Sequence, residues 1–260
     1  MSWELSTEEL ALAVSIAGDA RGANALLQST FGPMSEDERK GRLMAAGASL
    51  AARHLLQVEE GKETSLAPTL AKVTNILIHP AFTLRYDKAK PSILDSLAYH
   101  FGHKDDLVIE HRVSQGVVHQ LSEVDRERVL GQGSELFAVP PKAAGQVPDT
   151  TIARAVFDDA RNRAALQPTT AQALLEGAGL SAKYAKALTE DLRRNKYQGS
   201  VMRIEYDAEG RPSSDRGFLM MQSERRTWIL PILVKGEDAF ISPRLAGIEE
   251  FRQATQELMN

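Results

Sequence analysis

The sequence predicts an α+β protein: winged-helix-like N-terminal helices followed by two pseudo-repeated halves, each an antiparallel four-stranded sheet plus a helix. Three observations carry this. Apolar residues recur at helical spacing up to about residue 80 and alternate from Ala81 onward. The order of helices, four strands and one helix then occurs twice, although identity between the halves is low. The strands come in runs rather than singly between helices, which argues against a parallel Rossmann-type sheet. The expected segments are 1–80 (helical, winged-helix-like), 81–139 (sheet plus helix), 140–149 (linker), 150–199 (helical) and 200–260 (sheet plus C-terminal helix).

Each element has a local reason. Ser6 with Glu9 three residues on reads as a capping box, and Leu10, Val14 and Ala17 continue one helical face to Gly18. A second helix is expected from Asp19 to about Thr30, closed by "FGP". A third opens at Ser35 with Glu36, Asp37 and Glu38 in its first turn, and Leu43, Ala46, Leu50 and His54 form its stripe. A tight turn at Glu60-Gly61 or Gly61-Lys62 joins two short extended runs, and Pro68 starts a helix to about Ile78. The strands "FTLRYD", "SILDSLAYHF", "LVIEHRV" and "VVHQLSEV" follow, then a helix after Val124. The stretch "PPKAAGQVPD" has three prolines and no core pattern, which marks it as the linker. Helices are expected at 149–165, 170–178 and 181–196, then strands in "SVMRIEYD", "GFLMMQS", "TWILPILV" and "DAFIS", and a last helix after Pro243.

Composition bounds the function. With 43% hydrophobic and 25% charged residues the chain can bury a proper core. The absence of cysteine excludes disulfides, thiolate zinc sites and cysteine nucleophiles, and makes the cytoplasm the expected home. The N-terminus has acids where a signal peptide needs bases, and no apolar run approaches the ~20 residues of a bilayer span, so no membrane role is expected. A net charge of −4 gives no general attraction for nucleic acid.

Residues with chemistry are few. In "LVIEHRVSQGVVHQL", a Ser114-Gln115-Gly116 loop pairs Val113 with Val117 and sets His111 opposite His119 on the core side, with His100 near Val108 on the other face. Two imidazoles make a poor zinc site. Neutral core histidines are the expected reading, and a metal or acid–base role is the alternative. "GQGSE" at 131–135 lies in a predicted helix and lacks the lysine of a phosphate loop, and no other catalytic or cofactor motif occurs. These residues nominate no catalytic group, so an enzyme is unsupported by them. The predicted wing "QVEEGKE" and the third helix's "SEDE" start are acidic and would repel phosphate. Lys183, Lys186, Arg193, Arg194, Lys196 and Arg203 outnumber Glu190 and Asp191, with Tyr184 and Tyr197 interleaved. That stretch is a solvated helix face or, in the alternative of a winged-helix nucleic-acid-binding regulator, its phosphate-contacting surface. Phe218, Leu219, Met220, Met221 and Trp228 are either interior residues or an adaptable protein-binding patch.

The stretches "WELSTEELALAV", "LAARHLLQVEEGKETSLAPTLAKVTNILIHP" and "GFLMMQSERRTWILPIL" with a final amphipathic helix resemble the EspG family of type VII secretion chaperones. The resemblance spans nearly the whole chain. It departs at "QSERRTW", where that family's pattern has an aspartate-threonine and a glycine-arginine pair. It implies a cytosolic, cofactor-free chaperone that binds another protein, a helical secretion substrate, and keeps it soluble by covering its apolar tip.

Overall fold

The computed structural model describes residues 1–58, 61, 63–89, 94–103, 107–114, 116–147, 149–194, 197–207 and 210–260. It is an α+β structure whose described strand registers are antiparallel, and it divides into two compact units: Met1–Thr83 with Leu97–Asp125, and Leu84–Ser96 with Arg126–Asn260.

The first unit opens on β1 (Ser2–Ser6), a strand that helix-start signals concealed, followed by α1 (Thr7–Ile16), α2 (Ala20–Phe31) and α3 (Glu36–Ala52). The Ser6–Glu9 capping box forms, with the Glu9 N–H donating to Ser6 Oγ at 3.1 Å and the Ser6 N–H to Glu9 Oε2 at 2.8 Å. Glu9 is buried and is compensated further by Ser49 Oγ at 2.6 Å and Arg53 at 3.1 Å. Arg53 also caps the Glu4 carbonyl at 2.8 Å, covering part of the outer edge of β1. His54 does not extend the α3 stripe. It stands past the helix end at φ 57°, where the Leu55 N–H reaches back to the Leu50 carbonyl at 2.8 Å and closes the helix. A two-rung ladder of β2 (Leu56–Gln57) and β3 (Ser65–Leu66) leads to α4 (Pro68–Ile78). Glu59, Glu60 and Lys62 of the expected turn lie outside the described residues. Trp3, Leu5, Leu10, Leu27, Leu50, Leu70, Val73, Ile109 and Leu121 share one core.

Strands β4 (Phe82–Ala89), β5 (Leu94–Phe101), β6 (Val108–Ser114) and β7 (Val118–Val124) follow, and β5, β6, β7 and β1 are neighbours in that order. The chain leaves the first unit after Thr83 and returns at Leu97. Next come α5 (Arg126–Leu136), which contains "GQGSE", a short β8 (Ile152–Ala153), α6 (Arg154–Arg163), α7 (Pro168–Gly177) and α8 (Ala182–Arg193). The second unit's strands are β9 (Tyr197–Tyr206), β10 (Pro212–Gln222), β11 (Thr227–Lys235) and β12 (Asp238–Ile241), neighbours in the order β9-β10-β11-β12-β8. A two-residue β13 (Arg244–Leu245) also pairs with β11, and α9 (Ile248–Met259) ends the chain.

Pro231 sits inside β11 without breaking it. Its carbonyl accepts from the Ser242 N–H at 3.1 Å, at the gap between β12 and β13, so the N–H that proline lacks would have met no ladder partner. The sheet of this unit is covered on both faces. Met221, Trp228 and Leu230 pack with Phe157, Leu175 and Leu188 of α6–α8. Phe218 meets Phe251 of α9 edge-on at 5.6 Å on the other face. Two-sided burial explains why "GFLMM" and "TWILPIL" are continuous apolar runs rather than alternating ones.

Gly247, the N-cap of α9, is required by contact rather than by φ. A Cβ there would lie 2.5 Å from the Ala143 nitrogen and 2.6 Å from the Lys142 carbonyl carbon, both backbone atoms. Gly247→Ala is expected to lower stability by about 2 kcal/mol, measurable as a lower urea midpoint with an unchanged slope.

Candidate functional site

Two places gather the residues singled out by sequence. The first is a chain of histidines in the first unit. The hairpin register differs from expectation by one residue on each strand. Ser114 pairs with Val118, so His111 faces Leu121 and His119 faces Val113. The physical reason is that Val117 belongs to the turn: its N–H closes on the Ser114 carbonyl at 3.2 Å with Gly116 at φ 75°, and its own carbonyl is taken by the Thr7 N–H at 3.0 Å. A shift of one residue on both strands preserves the faces, so the two rings remain together as diagonal neighbours, His111 Nε2 lying 2.9 Å from His119 Nδ1. His100 is a true correction. It pairs with Ile109 rather than lying near Val108, and that one-residue slip turns it onto the histidine face, with its ring centre 5.8 Å from that of His111.

The bonds order the protons. Thr7 Oγ1 donates to the Val117 carbonyl and lies 3.1 Å from His119 Nε2, so His119 carries its proton on Nε2 and accepts at Nδ1 from the Nε2–H of His111. His100 Nδ1 meets Thr83 Oγ1 at 3.1 Å, and its buried Nε2 has no hydrogen-bond partner among the described residues. Burial pushes His100 down to about 4. Burial, with His100 and His119 nearby, pushes His111 down to about 3, and His119 is lowered by burial as well. The three rings are therefore neutral at pH 7. Among the described residues, no three or more histidine, cysteine or acidic side chains are arranged to hold a metal ion. The group serves as a polar segment of a core, held by Thr7, Thr83 and its own ring contacts.

The second place is a cleft of the second unit between α6, α8 and the sheet, lined by Phe157, Arg161, Leu192, Leu219, Met221 and Leu230, with Gly199 and Met220 completing it. Three of the five apolar candidates from sequence are thus brought to one cleft. Phe218, Met220, Met221 and Trp228 are buried, and Leu219 is half-buried. Trp228 lies in the core cluster that includes Met221 and Leu230, and its indole N–H donates to Asp191 at 2.8 Å. Asp191 also holds Arg226 through Nε at 2.6 Å and Nη2 at 3.2 Å. This network, which sequence reading missed, uses the "SERRTW" turn to lock α8 onto β11.

The basic candidates divide. Lys183, Lys186, Arg193 and Arg194 are exposed, and none has an ion pair among the described residues. Their spacing along α8 puts them on one face with Glu190, and Glu190 lies 3.5 Å from Arg226. Arg203 is turned away from solvent, bound to the Leu258 carbonyl at 2.8 Å and to Glu205 at 2.9 Å. Lys196 lies outside the described residues. No helix among the described residues is long and apolar enough to cross a membrane.

Comparison with known proteins gives three findings. No curated protein matches the sequence. Among solved structures, the chain is similar to the Mycobacterium tuberculosis type VII secretion system chaperone EspG5, solved in complex with the PE25-PPE41 dimer. The TM-score is 0.69 at 11% identity, over 100% of this chain and 96% of that chain. At that identity the likeness is one of fold, and it supports the EspG resemblance at that level. The family profile described as "Uncharacterised protein YfjC" matches residues 2–241, and the chain therefore belongs to the YfjC family.

Proposed function

We propose that this protein is a non-enzymatic, cytoplasmic protein-binding module that acts as a chaperone for a helical secretion substrate. The observation that carries the reading is the likeness of fold, along the full length of this chain, to a chaperone solved with its protein partner. In this reading α1–α3 with β2 and β3 form a winged-helix-like module, and the two sheet-and-helix halves are a pseudo-repeat, with 140–149 as the linker. Leu219, Met220 and Met221 contribute to the partner site, with Phe218 and Trp228 beneath as its support. No residue is given a catalytic, cofactor or metal role.

The test is co-purification from nuclease-treated native lysate, identification of the captured protein by mass spectrometry, and reconstitution from the two purified proteins. The expected result is a stoichiometric complex by light scattering. Failure of every captured protein to re-form a complex would sink the reading. One observation favours a second reading, a nucleic-acid-binding regulator: Lys183, Lys186, Arg193 and Arg194 stand exposed on α8. That reading requires duplex DNA binding that weakens with salt, and a salt slope that shrinks in Arg193→Ala/Arg194→Ala.

A further inference from the structure

We infer that the cleft of the second unit receives an apolar side chain of a partner protein whose neighbouring residues are acidic, the apolar group entering between α6, α8 and the sheet while a carboxylate meets Arg161. This rests on the protein-binding reading and names the site and partner chemistry within it.

The cleft holds a cavity of about 80 Å3. Phe157, Met220, Met221 and Leu230 are buried around it, while Leu192 and Leu219 are half-buried. An aliphatic side chain that enters the cleft gains dispersion contacts with these lining atoms and leaves water. Met221 suits this role, since its unbranched thioether adapts to differently shaped groups.

Charge selects the partner. Arg161 lines the same cleft with 40% of its side chain exposed, and it pairs with Asp158 at 3.3 Å, itself 36% exposed and shared with Arg154 at 3.6 Å. A pair so exposed is weak, and a guanidinium has five donors, so Arg161 can accept a second carboxylate in fork geometry. Beyond Leu192, the exposed Arg193 and Arg194 follow at the end of α8, whereas Lys183 and Lys186 lie on the helix face turned away from the cleft. On a chain of net charge −4, Arg161 at the cleft, with Arg193 and Arg194 at the nearby end of α8, favours an acidic neighbour over a basic one. An apolar anchor flanked by acids satisfies both the cavity and its surroundings.

The experiment uses the full chain and three fluorescein-labelled, alanine-based helical peptides, read by fluorescence anisotropy. The first carries a leucine pair flanked by glutamates, the second the same leucines flanked by lysines, and the third the glutamates with alanine in place of leucine. The first is expected to bind at least about tenfold more tightly than either other. Arg161→Glu, at an exposed position, is expected to reverse the order of the glutamate and lysine peptides. Leu192→Trp, which fills the cleft, is expected to remove the preference for leucine, with circular dichroism confirming that the variant is folded. Equal binding of the leucine and alanine peptides would reduce the site to charge alone and overturn the inference, as would duplex DNA bound in preference to the first peptide. Binding of none of the three also overturns the cleft assignment, while the protein-binding reading stands or falls separately on the reconstituted complex.

Discussion

Lowering the pH from about 6.5 to 4 will destabilise this protein through its histidine chain, and His100→Asn will flatten the dependence. His100 is pushed down to about 4, His111 to about 3, and His119 is lowered too, each by burial of the imidazole. The unfolded chain, with histidines titrating near 6.5, takes up protons first as the pH falls. The contribution of these rings is therefore complete above about 6.5 and is lost progressively toward the folded-state values. At roughly 1.4 kcal/mol per pH unit, His100 alone accounts for about 3 kcal/mol of this loss. His111 and His119 act in the same direction but titrate as a bonded pair, so their effects do not simply add. Asparagine can place a polar atom near Thr83 Oγ1, the partner of His100 Nδ1, and does not titrate. Urea unfolding by circular dichroism at a series of pH values measures the slope, and identical slopes in the two proteins would show that His100 is not its source.

Asp191→Ala will cost about 3 kcal/mol, because it leaves two donors without their acceptor. Asp191 is 2% exposed and takes hydrogen bonds from both Arg226 and the Trp228 indole, on a side chain that is fully buried. Its loss strands a largely buried guanidinium and a buried N–H, with Glu190 at 3.5 Å the one carboxylate left to Arg226 among the described residues. The effect appears as a fall in Tm of several degrees. Asp191→Asn, which keeps one acceptor oxygen, is expected to fall between the alanine variant and the wild type. Equal stability of all three would mean that water replaces the carboxylate without cost.

The long elements were legible because their signals are local. Ser6 with Glu9, Pro68 and the acidic start at Ser35 fix helix ends through backbone groups within one turn. The strands of two, two and five residues were not: β8, β13 and β1 exist because a neighbouring strand offers free backbone groups, as Phe240 and Ile241 do for Ala153 and Ile152. The same limit governs the site. His111 and His119 lie in one hairpin, so alternation placed them on a common face, whereas His100 depended on the length of a loop and changed face with a single residue. Phe218 to Met221 were visible as an apolar run, but only the packing of α6–α8 and α9 shows that both faces are covered and that the opening is at Leu219. Arg161 and Leu192 carried no sequence signal, since a charged residue and a leucine on two separate helices become neighbours only in the folded unit.

The pairing of β1 with β7 has a consequence for synthesis. Residues 2–6 meet residues 122–118, so β1 is completed by a strand made more than a hundred residues later. At ordinary translation rates Trp3 and Leu5 wait on the order of ten seconds for their neighbours, and the loop they close gives the first unit a high contact order and slow folding. A chain stopped before Val118 therefore has Trp3 and Leu5 in hand and no β7 ladder to receive them, so these side chains need protection while the rest of the unit is being made.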